Sequence, residues 1–166
     1  MNPSDYKDPI MKKYADLITG INKEIKRVYF GDPVRIGASE LPALIISKLD
    51  TRVGNLTNAE DGHAVRLSFT IVADVRDTIQ DDKEMVRGVN SLYDIMEGRD
   101  ADYTLTTNSL LYILRHYAEL DVANNLRTDL ATMTSIDYGM TMGKRKEGAW
   151  STEGTIEIIS NFTQVR

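Results

Sequence analysis

The stretch that most invites a chemical reading is residues 143–148, GKRKEG, where Lys144, Arg145, Lys146 and Glu147 stand between two glycines. A phosphate-binding loop needs a glycine-rich run of amides, then Lys and Ser or Thr, opening a helix. Here the glycine spacing before the lysine does not fit. The run from Trp150 through Ile156 and Ile158 alternates as a strand does, where a phosphate loop would open a helix. The basic triplet therefore belongs to the tip of a hairpin. At such a tip, cations either keep a sheet edge solvated or touch a partner surface or passing nucleic acid.

Other chemistry-bearing residues form no convincing constellation. Asp74, Asp77, Asp81, Asp82 and Glu84 are close in sequence, and a hard cation needs several converging oxygens. Residues 81–84 also stand where carboxylates favour a helix N-terminus, and that reading is preferred. Glu24 and Lys26 match half of a nuclease-type acid and lysine pair, but on a helix and with no acidic strand before them. His63 reads as a solvated residue in the loop entering a strand, and His116 as a partly buried packing residue. No G-x-S-x-G elbow and no H-E-x-x-H spacing occurs. Tyr112 and Tyr117, with Leu110 and Leu114, could line a small pocket, although packing explains them more simply. With no cysteine, thiol catalysis, thiolate metal sites and disulfides are excluded. No catalytic, metal or cofactor site is expected.

The elements that would carry these residues are read from periodicity. Apolar residues at Ile10, Tyr14, Leu17, Ile18, Ile21, Ile25 and Val28 make one helical stripe over 9–29, with Asp8 as cap and Pro9 at the first position. Gly31 and Pro33 end it. Residues 41–50 read as a strand buried on both faces, and 51–62 as a long polar connection. Val65, Leu67, Phe69, Ile71, Ala73 and Val75 alternate with polar residues in a long strand. A second helix over 81–98 buries Met85, Val89, Leu92 and Met96, and Gly98 closes it. Residues 108–120 suit a helix or a buried strand, and 121–133 an irregular connection. The chain ends in a hairpin, with Ile136, Tyr138, Met140 and Met142 on one arm.

The expected class is α+β: one domain over 1–166, with a single antiparallel or mixed sheet of about four strands. The order is α-β-β-α, a mixed segment, then β-β, with two helices on one face. The other face would hold Val72 and Ile159 among polar residues, open to water or a partner. A length of 166 residues suits one core. A net charge of −5 argues against general polyanion binding. The polar N-terminus lacks a secretory core, and no apolar run approaches the ~20 residues of a membrane span, so a cytoplasmic site of maturation is expected.

This order of elements, with LPALII at 41–46, the strand ending VADVRD and the final EGAWSTEGTIEII at 147–159, resembles the tail terminator proteins of long-tailed bacteriophages. The likeness spans about 9–162. It implies a structural virion protein without enzymatic activity. Six copies would form a ring that caps the tail tube, stops its polymerisation and offers a joining surface to head-completion or neck proteins, while DNA passes through. Partners would then be further copies, the tube protein and the neck, in a virion assembled in the host cytoplasm. Stable interfaces bury on the order of 1,600 Å², so Arg52, Asn55 and Asn58 of the 51–62 connection are expected to join Lys144, Arg145, Lys146 and Glu147 as interface residues. The residues also admit another connector or head-closure ring, a dimeric ligand-binding regulatory domain, or a metal-dependent nuclease.

Overall fold

The computed structural model describes residues 8–55, 60–75, 82–117, 119–123, 126–144 and 150–165. Helix α1 spans Pro9–Ile21. The Asp8 carboxylate accepts from the backbone N–H of Ile10 at 3.0 Å and of Met11 at 3.3 Å, as a cap should. The helix stops well short of the expected residue 29, and Asn22 is the cause. Its backbone is extended, its Nδ2 donates to the Asn108 carbonyl at 2.9 Å, and its Oδ1 accepts from the Glu24 N–H at 2.9 Å. A short amide that serves backbone groups outside a helix competes with the helix. Ile25 and Val28 still reach the core region from beyond it, so the helical spacing ran on by coincidence. Glu24 and Lys26 consequently lie in the irregular segment between α1 and β1, not on a helix.

That segment enters strand β1, Arg27–Phe30, which runs parallel to β2, Ala43–Asn55. Gly31 adopts φ +78° and donates its N–H to the Ile46 carbonyl at 2.9 Å; a left-handed turn at this point favours glycine. The chain then crosses the sheet through a short 3-10 turn, Ala38–Glu40. β2 pairs antiparallel with β3, Glu60–Asp74, out to Asn55 and Asp61. The expected long connection over 51–62 is thus mostly two strands of a hairpin. Its polar residues misled because this arm is exposed at Thr51, Arg52, Val53 and Gly54, where a ladder needs no apolar alternation.

Helix α2 covers Asp82–Glu97 and α3 covers Leu110–His116. Ser109 decides the helix-or-strand ambiguity of the second: its Oγ accepts from the Tyr112 N–H at 3.3 Å, and Leu110, Leu111, Ile113 and Leu114 are buried behind it. Strands β4, Glu119–Ala123, and β5, Leu126–Lys144, replace the irregular connection expected over 121–133. Backbone pairing with β6, Trp150–Val165, organises β5 despite three register shifts. The final hairpin is as expected, but longer.

Among the described residues the sheet is mixed, with six strands in the order β1-β2-β3-β6-β5-β4. The two strands beyond the expected four are its short edges. Residues from all three helices share one core with Leu44, Ile46, Leu67, Phe69, Ile71, Ile156 and Ile158, so the class is α+β with the helices on one face. On the other face Val72 is fully buried beneath Ile36 and Leu41, beside Ala43 and Ile45. The segment after β1 therefore covers the residue expected to be open, and gives β2 its two buried faces. Ile159 remains half-buried. Among the described residues, no helix is long and apolar enough to cross a membrane.

Candidate functional site

The expected interface residues do not converge. Arg52 is exposed in β2 opposite Ala64, and Asn55 ends that strand opposite Asp61. Lys144 ends β5 opposite Trp150. Asn58, Arg145, Lys146 and Glu147 lie outside the described residues. Because β3 pairs with β6 continuously from Glu60 and Val165 to Asp74 and Ser151, Asn55 and Lys144 stand at opposite ends of the sheet, about 45 Å apart at the usual strand rise, and Arg52 is roughly 10 Å closer. Arg52 and Asn55 therefore do not share one surface with Lys144.

The sheet edges are also arranged at opposite ends. β1 covers β2 only over 43–46, and β4 reaches along β5 only to Asp129. Residues 47–55 of β2 and 130–144 of β5 therefore have no outer strand among the described residues. A register shift between Lys48 and Asp50 and three more in β5 bend these edges, which discourages indiscriminate pairing.

Neither histidine sits as expected. His63 lies within β3 and stacks on Phe162, with centroids 4.5 Å apart and planes 4° from parallel. His116 is exposed at the end of α3, stacked on Tyr112 and edge-on to Tyr117. Leu110 and Leu114 are core residues, whereas Tyr117 is 38% exposed. Of the acidic run, Asp77 and Asp81 fall outside the described residues, and no metal-binding group of three His, Asp or Glu occurs among those described.

One cleft, of about 470 Å³, was not foreseen. Tyr93, Asp94, Glu97, Gly98, Arg99, Tyr103 and Tyr138 line it, where the end of α2 meets β5. Tyr138 donates its hydroxyl to Glu97 Oε1 at 2.8 Å and meets Tyr93 edge-to-face at 4.7 Å. Gly154, opposite it in β6, makes room: a Cβ there would lie 3.3 Å from the Tyr138 ring and 3.2 Å from Met96 Cε. Burial, then the bond to Glu97 and that residue's charge, push the Tyr138 phenol well above its ordinary pKa. The other carboxylate oxygen, Glu97 Oε2, accepts from Arg99 at 3.2 Å.

The far wall is a tight turn. Asp100 Oδ1 accepts from the N–H groups of Asp102 at 3.0 Å and Thr104 at 2.8 Å. Tyr103 takes φ +63° and is 75% exposed, an uncommon backbone for a bulky residue. Its ring lies beneath the Arg99 guanidinium at 4.3 Å, and its carbonyl accepts from the same group at 3.1 Å. Gly98 allows helix and turn to meet, since a Cβ would stand 2.5 Å from Thr106 Oγ1 and 2.6 Å from the Asp94 carbonyl. Aromatic faces beside carboxylates suit a cation, and Arg99 already occupies part of the cleft in that manner. No pattern in the sequence signals this cleft, because Glu97 and Tyr138 are 41 positions apart. No protein-family model matches the chain, and no curated protein is significantly similar to it.

Proposed function

We propose that the protein is a structural assembly protein of the tail terminator type: a ring of copies that caps a phage tail tube in the virion and presents a joining surface to the head or neck. The observation that carries this reading is the pair of long strand edges, 47–55 and 130–144, left on opposite sides and at opposite ends of one sheet. Surfaces of that kind, being different from each other, suit head-to-tail contacts, which close into rings when the rotation permits. The sheet face away from the helices carries Asp137, Glu153 and Glu157 as well as Arg66, and the chain carries a net charge of −5. Such a balance lets DNA pass without being gripped.

The test is direct. Purified protein is weighed in solution over a range of concentrations, imaged, and added to growing tail tubes. Closed six-fold rings and arrested tube growth are the expected results; a stable dimer that leaves tubes growing would overturn the proposal. The tyrosine-lined cleft supports a second reading, a dimeric domain that binds a small cationic ligand, and a dimer stabilised by such a ligand would favour it.

A further inference from the structure

We infer that the cleft of Tyr93, Asp94, Glu97, Tyr103 and Tyr138 is the receptor for the basic hairpin tip, Lys144, Arg145 and Lys146, of a neighbouring copy of this chain. The inference rests on the ring reading above and names the contact that would hold it. Two carboxylates, Asp94 and Glu97, face one guanidinium, that of Arg99, so the lining is net negative. Glu97 is already committed to Tyr138 and Arg99. The Asp94 carboxylate is exposed and has no partner among the described residues, and it stands beside two tyrosines that are 38% and 75% exposed, Tyr93 and Tyr103. An ammonium or guanidinium entering there gains a carboxylate and aromatic faces together.

The chain carries a matching cationic segment. Residues 143–148 hold three consecutive cations and one acid, and Trp150 at the base of the tip is 37% exposed. A chain is badly placed to fill its own cleft. β5 runs on from Tyr138 to Lys144, and the partners of those residues, Gly154 and Trp150, are four strand residues, about 13 Å, apart. β5 therefore carries Lys144 away from the cleft, so a second copy is the natural donor. Cleft and tip are different surfaces of one molecule, which is the head-to-tail arrangement that a ring requires.

Charge exchange on the full chain tests this. One variant carries Lys144→Glu, Arg145→Glu and Lys146→Glu, and a second carries Asp94→Arg; self-association is measured by sedimentation for each and for the combination. Each reversal alone is expected to weaken association about tenfold, and the combination to recover most of the loss. Tyr103→Ala, which removes an exposed ring, should weaken it too. Wild-type rings that are indifferent to either reversal, or a combination no better than the weaker single variant, would overturn the cleft inference and leave the ring reading intact. A wild-type chain that stays monomeric at millimolar concentration and does not dock on tubes would overturn both.

Discussion

Tyr138 shows how one side chain ties an element to its neighbour. Its hydroxyl bonds Glu97 across 41 positions, and its ring occupies the space left by Gly154. Tyr138→Phe keeps the ring and removes the bond, at an expected cost of about 1 kcal/mol in urea unfolding. The pH dependence has a definite sign. In the folded protein the phenol is held above its ordinary value of 10.0, while in the unfolded chain it ionises near that value. The protonated form therefore stabilises the fold fully below pH 10, and this contribution is lost as the pH rises further. Thermal melts from pH 9 to 11 should show a shallower fall for Tyr138→Phe than for wild type. Tyr29 is displaced in the same direction, by burial and by Glu40, so the Phe variant should reduce the fall without abolishing it.

Among the elements, helix α1 is defined by its two ends. Asp8 caps the first turn and also pairs with Lys48 at 3.2 Å. Asp8→Ala should cost about 1 kcal/mol. At the other end Asn22 is 1% exposed, and Asn22→Ala would strip partners from the Asn108 carbonyl and the Glu24 N–H. A loss of about 2 kcal/mol is expected, and hydrogen exchange should show the start of α3 loosening along with the end of α1, because the amide joins them. The first end was legible from Asp8 and Pro9. The second was not, since a buried side chain bonded to a residue 86 positions away leaves no local trace. Strand β3 is the opposite case: Val65, Leu67, Phe69, Ile71 and Ala73 are all buried, as their alternation indicated. Ile71→Asp would place an unpaired charge in the core, and several kcal/mol should be lost; soluble, folded protein from that variant would contradict the assigned face.

At the scale of the molecule, the six strands of the described residues make one sheet, covered on one side by helices and partly on the other by the segment after β1. The exposed arm of β2 and β3 and the end of the last hairpin stand at opposite ends of that sheet. An assembly that uses both must contact two different neighbours. In the proposed ring, mixing the tip-reversed variant with wild type should lower the yield of closed rings, because each reversed tip weakens one junction. Fewer closed rings per image, at unchanged monomer stability, is the expected outcome.

The α+β class, the capped start of α1, the faces of β3 and the final hairpin were all legible in the order of residues along the chain. Each rests on local chemistry or on a period that one element imposes on its own side chains. Contacts between distant residues settled the rest. They ended α1 at a buried amide, turned a polar stretch into a strand arm, made β5 a strand by pairing it with β6, and covered Val72 with a segment that carries no strong pattern. They also brought Tyr93, Glu97, Arg99, Tyr103 and Tyr138 around one cleft. Those outcomes depend on backbone hydrogen bonds and packing across the fold, and no periodicity records which distant partner a residue will meet.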